Sequence, residues 1–229
     1  MSGPRTSTSG RPQLLALALL TLIPFGMLAV WARFWSPAPW EAGILGALAL
    51  QPGLGGDVGH AINTLGNLPV WAIVVTVAAA LIGAARGIAA AVLVALSFAS
   101  DLAAFLVKLL VERDRPETAA VEQFFGTDNF SYPSGHTVRA TALVAVVLWL
   151  VAPRRWRLPL AVAGALVCGL VMGYARVALG VHWPTDTIGG TLLGIGWFAV
   201  SALVATAARD ATRGRGGSSP RDLRPEQHR

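Results

Sequence analysis

Six stretches of the chain are apolar over roughly the length of a bilayer crossing, about 20 residues, and no other feature constrains the fold as much. They run over residues 14–32, 68–85, 87–111, 135–152, 158–178 and 187–208. Backbone polar groups find no water in hydrocarbon, so such segments are expected to be helices that satisfy their own hydrogen bonds. The pattern predicts an all-α, polytopic membrane bundle of about six transmembrane helices. Residues 41–50, between Pro39 and Pro52, are apolar but too short to cross. They are expected to lie along the interface or to pack as a re-entrant segment. The second and third runs are joined only by the tight connection Ala84-Ala85-Arg86-Gly87. No internal repeat stands out, which argues against an inverted-repeat transporter. Arg5 and Arg11 precede the first run and small residues end it, as in a cleaved signal peptide. That run is long for a signal core, and Trp31, Trp35 and Trp40 follow it as an interfacial anchor would.

Charge agrees with this reading. Only 13% of the residues are charged and 54% are hydrophobic, about half the usual globular share of charge. Mean hydropathy is +0.59. Residues 1–12 and 209–229 hold eight of the 18 basic residues and three of the 12 acidic ones, so the tails carry +5 of the net +6. Disorder of the whole chain and a nucleic-acid-binding surface are excluded, despite a pI of about 10.9. The single cysteine, Cys168, excludes an intrachain disulfide and a thiolate zinc site and is read as an inert core thiol. The chain divides into a tail over 1–12, a membrane domain over 13–208 and a basic, disordered tail over 209–229 that touches anionic lipid.

The positive-inside rule then orients the bundle. Arg5 and Arg11 precede the first span, Arg86 joins the second and third, and Arg154, Arg155 and Arg157 join the fourth and fifth. With six spans these and the basic C-terminal tail fall on one side, the cytoplasm of a plasma membrane. The loops after the first, third and fifth spans face outward.

Two of those outward loops hold most of the polar chemistry. Lys108, the only lysine, closes the third span together with Arg115-Pro116; Ser134, Gly135 and His136 open the fourth; Arg176, His182 and Asp186 bridge the fifth and sixth. Charges at a membrane edge are costly and usually paired or functional. Lys108, Arg115 and Arg176 can converge on one multiply charged anion, arginine forks suiting phosphate oxygens and lysine acting as a point charge. Ser134-Gly135 stands at a predicted helix N-terminus, where unpaired N–H groups and the helix dipole favour phosphate. His182 and Asp186 are four apart, so the carboxylate reaches one imidazole nitrogen and leaves the other free to attack phosphorus. His136 is placed to protonate the leaving oxygen. No carboxylate cluster of metal-binding type accompanies them, so the predicted reaction uses neither metal nor other cofactor.

The pattern of Lys108 with Arg115-Pro116, then Pro133-Ser134-Gly135-His136, then Arg176 with His182 and Asp186 resembles the type 2 phosphatidic acid phosphatase (PAP2) superfamily. That superfamily includes lipid phosphate phosphatases and bacterial undecaprenyl-diphosphate and phosphatidylglycerol-phosphate phosphatases. The resemblance covers roughly residues 60–205, with all three motifs in order. It implies a six-helix core, metal-free phosphoester hydrolysis and a covalent phosphohistidine. Carried onto this chain, His182 is similar to the family's nucleophile, Asp186 to its orienting partner and His136 to its acid and base. Lys108, Arg115, Ser134, Gly135 and Arg176 are similar to its phosphate cradle. One departure is visible: the family's third motif opens Ser-Arg, whereas Ala175 precedes Arg176 here, which removes a hydroxyl beside the cradle.

Other readings stand beside these. Lys108 can pair with Glu112 one turn on, and Asp186 can cap its helix. Arg139 can contact a second phosphate or head group, or pair with Asp101 or a loop acid; Asp101 is read as a structural partner. Trp183 is read as an interfacial anchor or site wall, and Glu117, Glu122 and Asp128 as solvated loop charges. His60 and His228 carry no role. The expected partner is a membrane lipid substrate, with a polyprenyl diphosphate first and phosphatidate and phosphatidylglycerol phosphate next. Phosphotransfer to another acceptor is the alternative on the same scaffold, and lipid binding or transport without catalysis is the alternative of another class. A vanadium haloperoxidase shares the motif logic but is typically soluble.

Overall fold

The computed structural model of the chain describes residues 10–35, 37–48, 54–118 and 130–216, with backbone alone for 54–58, 60 and 212–216. Residues 1–9 and 217–229, Glu122, Asp128, His228 and the side chain of His60 therefore lie outside the described residues. The described residues form nine helices: α1 Arg11–Phe34, α2 Pro39–Leu48, α3 Leu54–Leu65, α4 Leu68–Arg86, α5 Ile88–Phe98, α6 Ser100–Val111, α7 Gly135–Val151, α8 Arg157–Ala178 and α9 Pro184–Gly216. Five helical stretches among them are long and apolar enough to cross a membrane: α1, α4, Ile88–Val111, α8 and Pro184–Ala211. The sixth, α7, has 17 residues, a length of about 25 Å. The protein is a multi-pass, all-helical membrane protein.

The third predicted span is not one continuous helix. It breaks at Ala99, whose N–H bonds to the carbonyls of Leu96 and Ser97. Ser97 Oγ donates to Val94 O at 2.6 Å and Ser100 Oγ to Ser97 O at 2.7 Å. Serine hydroxyls that bond back to helix carbonyls bend a helix, and here two of them flank the joint between α5 and α6. Gly87, with φ of +88°, makes the tight joint between α4 and α5. The last helix continues from residue 209 to 216, into the segment predicted as tail. Its alanines favour helix, and Asp210 pairs with Arg11 at 3.7 Å.

Around α7 the other helices are arranged as a cover. Eleven of its residues are buried, which makes it the central helix and frees it from the full length a lipid-facing span needs. The main apolar core joins Trp71 and Val75 of α4, Leu93 and Val94 of α5, Leu143, Val146 and Trp149 of α7, and Ile195 and Phe198 of α9. Glycines allow α9 to approach α7 closely, as in small-residue membrane packing. A Cβ on Gly190 would stand 2.8 Å from Ser134 O, and one on Gly194 would stand 2.7 Å from Val138 O. Outward faces are apolar: Leu20 is 72% exposed, Ile88 79% and Leu170 74%, as expected of lipid-facing side chains.

The two ends of the bundle differ in charge chemistry. At the C-terminal end of α7, Arg86 Nη1 donates to Leu150 O at 2.6 Å and the Arg157 guanidinium lies 3.8 Å from the centroid of the Trp149 ring. The Arg11–Asp210 pair joins the start of α1 to the far part of α9. Every motif residue from Ser134 to His136, and Asp186, belongs to the opposite end, where α7 and α9 begin.

Candidate active site

The first predicted stretch runs from the last turn of α6 into the following loop. Lys108 Nζ donates to the carbonyls of Phe130 at 2.6 Å and Ser131 at 3.2 Å, which pins the chain entering α7. Glu112 does not take Lys108 as its partner. It pairs with Arg33 of α1 at 2.6 Å, because its backbone turns left-handed at the end of α6, with φ of 49°. Arg115 Nη1 donates to Val181 O at 2.7 Å and lies 3.2 Å from His182 Nε2. Burial lowers the Arg115 guanidinium to about 10, opposed by the Asp186 carboxylate, so it remains cationic at neutral pH.

The second stretch opens α7. Ser134 is the residue before the helix, and its N–H donates to the carbonyl of Asp186 at 3.0 Å, which ties the start of α7 to the start of α9. The Thr137 hydroxyl donates to Ser134 Oγ at 3.1 Å. The first N–H groups of α7 have no acceptor within the helix, as an anion site requires. Before it, Tyr132 donates its hydroxyl to Phe25 O at 3.0 Å and stacks on that ring, and burial raises the phenol above its usual range. His136 Nε2 lies 3.3 Å from the Asn63 carbonyl, which can only accept, so this nitrogen carries hydrogen.

The third stretch joins α8 to α9. Arg176 is fully buried, and its Nη1 donates to Asn63 Oδ1. His182 Nδ1 lies 3.2 Å from Asp186 Oδ2. That oxygen also accepts the Trp183 N–H at 2.9 Å, so Asp186 caps α9 as well as facing the imidazole. Trp183 in turn donates its indole N–H to Asp114 O at 3.0 Å, which anchors it as a wall of the site. The neighbours decide the tautomer of His182. Nδ1 faces an oxygen that accepts and Nε2 faces a guanidinium that donates, so Nδ1 carries the hydrogen and Nε2 presents its lone pair.

Burial, then the positive charges of Arg115, Arg176 and Lys108, hold the His182 imidazole well below its ordinary titration range. A lowered value keeps the ring neutral as pH falls through the range where an ordinary histidine protonates. In ¹⁵N-histidine spectra, with four histidines to assign, His182 is expected to report a neutral Nδ1–H ring that does not titrate between about pH 8 and about pH 6. Titration of that ring near pH 6.5 would contradict the environment described.

The eight predicted site residues thus gather where α6, α7, α8 and α9 meet, with Lys108, Arg115, Arg176 and His136 all close enough to act on His182. Arg139, left open between head group and structural pairing, is tied down. It meets Asp101 at 2.8 Å, Gly66 O at 2.6 Å and Gly135 O at 3.2 Å. Beside Gly135 a cavity of about 480 Å³ extends between α4, α6 and α7, lined by the polar side chains of Lys108, Asp101 and Arg139 and by the apolar Leu68, Phe105 and Leu109. Among the described residues no three His, Cys, Asp or Glu side chains cluster as a metal site.

Sequence reasoning missed three residues. Asn63, at the end of α3, touches both His136 and Arg176; nothing in its local sequence announces this. Arg113, between Lys108 and Arg115, turns toward Asp186, with Nη1 at 2.6 Å from Oδ1. Glu41, in the short segment predicted as interfacial or re-entrant, is fully buried and meets Arg113 Nη2 at 2.7 Å. Its signal was available: Glu41 is the only acid before Asp57, and a lone acid in an apolar stretch is usually paired or functional.

A helical membrane bundle with this constellation defines a class, and the chain belongs to it: the PAP2 superfamily matches residues 87–210, more than half of its length. Phosphatidylglycerophosphatase B of Escherichia coli K12 is 41% identical over 91 residues, 40% of this chain and 33% of that protein. An undecaprenyl-diphosphatase of Sulfolobus acidocaldarius is 42% identical over 66 residues, 29% of each chain. A decaprenylphosphoryl-5-phosphoribose phosphatase of Mycobacterium tuberculosis is 33% identical over 120 residues, 52% of this chain and 61% of that one. The chain therefore spans between 29% and 61% of the length of these relatives. The crystal structure of a PAP2-type phosphatidylglycerolphosphate phosphatase from Bacillus subtilis superposes with a TM-score of 0.68 and 22% identity, over 90% of this chain and 98% of that one. At that identity the likeness concerns the fold.

Proposed function

We propose that this protein hydrolyses a lipid phosphate or diphosphate through a phosphohistidine, without a metal, in its membrane domain over residues 13–208. The observation that carries the reading is the His182 environment, in which Asp186 holds Nδ1 while Nε2 points its lone pair at the guanidinium of Arg115. Binding an anion needs cations; it does not need an imidazole held in this tautomer by a carboxylate. This favours catalysis over a lipid-binding or transport role. Lys108, Arg115, Arg176 and the first turn of α7 at Ser134 and Gly135 hold the phosphate oxygens. His182 Nε2 attacks phosphorus and the bond to the lipid oxygen breaks as His136 delivers a proton to that oxygen. His136 then takes a proton from water as the water oxygen bonds to phosphorus. The P–N bond breaks and inorganic phosphate leaves.

An amphiphilic substrate suits the cavity beside Lys108, whose lining joins that cradle lysine and Gly135 to the apolar side chains of Leu68, Phe105 and Leu109. Within the class a polyprenyl diphosphate is the first candidate, followed by phosphatidate and phosphatidylglycerol phosphate; the names of the relatives fall in the same range. The arginines at the opposite end of the bundle support an extracytoplasmic site with both termini in the cytoplasm.

The test is phosphate release by purified protein in detergent from undecaprenyl diphosphate, phosphatidate and phosphatidylglycerol phosphate, in EDTA, with His182→Ala as control. Release from at least one lipid that survives EDTA and vanishes in the variant is expected. Wild-type protein that binds these lipids and releases no phosphate would refute the hydrolase.

A further inference from the structure

The most tightly built polar feature outside the residues just given roles is a buried chain of charges behind Asp186. Arg113 bridges two carboxylates: Nη1 to Asp186 Oδ1 at 2.6 Å and Nη2 to Glu41 Oε2 at 2.7 Å. All three side chains are between 0% and 2% exposed. Thr185 closes the fourth side. Its hydroxyl donates to Glu41 Oε1 at 2.7 Å and accepts from Arg113 Nη1 at 2.7 Å, and its N–H reaches Glu41 Oε1 at 3.3 Å. The guanidinium lies within cation–π range of two indoles, 5.5 Å from the centroid of Trp31 and 5.8 Å from that of Trp183.

The two acids occupy equivalent places. Glu41 is the third residue of α2 and accepts the Ala38 N–H at 3.1 Å. Asp186 is the third residue of α9 and accepts the Trp183 N–H at 2.9 Å. Each therefore caps its own helix and also accepts from Arg113, while Glu41 Oε1 takes Thr185 and Asp186 Oδ2 faces His182. The short helix α2, which does not span, is the element that delivers Glu41 to this point. Buried ion pairs are poor devices for stability alone, since desolvation offsets most of the attraction. Their geometry, by contrast, is exact enough to orient a third group, as partners behind a histidine ligand do.

We propose that Glu41 and Arg113 are positioning residues for His182, acting through Asp186. Arg113 takes Oδ1 of Asp186, which leaves Oδ2 aimed at His182 Nδ1. Glu41 offsets the charge of Arg113, so the Asp186 carboxylate keeps its full attraction for the positive imidazole that forms as Nε2 bonds to phosphorus. Neither residue touches the substrate. The effect of losing them should fall on kcat and leave KM nearly unchanged, because the phosphate cradle is intact. This inference rests on His182 being the nucleophile of the hydrolase.

The test compares Glu41→Gln, Glu41→Asp, Arg113→Lys and Thr185→Val in the full chain, each scored per folded molecule by gel filtration and thermal unfolding in detergent. Glu41→Gln and Arg113→Lys are expected to lower kcat roughly 10- to 100-fold, by analogy with second-partner losses at histidine ligands, with KM changed less than about 2-fold. Glu41→Asp, which keeps the charge, should recover part of the loss. Thr185→Val, near-isosteric and uncharged, should lower kcat in the same direction by a smaller factor, and it remains informative if a charge variant fails to fold. The ¹⁵N signature of His182 is read in the same proteins and should shift from a single Nδ1–H ring toward a tautomer mixture. That readout needs no turnover, so the relay can fail while the hydrolase stands, and the reverse. Wild-type kcat in folded Glu41→Gln or Thr185→Val, with an unchanged His182 spectrum, would overturn the proposal.

Discussion

Replacing His182 by alanine is expected to abolish lipid phosphate hydrolysis, with a loss of roughly 10⁴-fold or more in kcat. The ring is 2% exposed, its Nδ1 is held by Asp186 and its Nε2 faces Arg115. Water in the vacated space does not take over its part, because it is a far weaker nucleophile than an imidazole nitrogen and forms no P–N intermediate. The stronger form of the test looks for the intermediate. Wild-type protein turned over with ³²P-labelled lipid and quenched in base should carry phosphate on His182, stable to base and lost in acid, as a P–N bond is. Label on any other residue, or none on rapid quench while phosphate is released, would remove His182 from the nucleophile's role.

The second large effect concerns Asp186. In Asp186→Asn the shape is kept and the charge is lost, and kcat is expected to fall by roughly 10³- to 10⁴-fold. The amide can turn its NH₂ toward His182 Nδ1, which then becomes the acceptor and places the hydrogen on Nε2, the atom that must attack. The same change leaves Arg113 facing one carboxylate, Glu41, in place of two. Removing one partner of a buried charge network costs about 3–5 kcal/mol, so Asp186→Asn should also unfold at lower temperature in detergent. Activity per folded molecule separates the two effects, and a folded variant with wild-type kcat would contradict the arrangement drawn here.

Much of this was legible in the linear chain. Apolar length alone located the crossings, because the thickness of hydrocarbon sets a minimum run of residues whatever the neighbours are. His182 and Asp186 are only four positions apart, which keeps them within reach of each other along the chain; His182 stands in the turn just before α9 and Asp186 in its first turn, and the structure has them 3.2 Å apart. Lys108, Arg115, Ser134, Gly135, His136 and Arg176 could be named because charges, imidazoles and a helix start are uncommon inside such apolar sequence.

Pairings between helices could not be read that way. Lys108 and Glu112 are four apart, yet Glu112 turns to Arg33 and Lys108 to the carbonyls of Phe130 and Ser131. Arg139 meets Asp101 and Gly66 in preference to the cradle. Glu41 and Arg113 lie 72 positions apart, as do Arg113 and Thr185. No periodicity links such positions; their distance is set by how α2 packs at the start of α9 and by the approach that Gly190 and Gly194 permit between α9 and α7. The sequence by itself determined where the chain crosses the membrane and which residue types stand ready at its edge, since burial length and helical spacing are local properties. Only the tertiary structure decided which buried charge faces which, because a buried charge must find a partner, and packing alone determines the partners within reach.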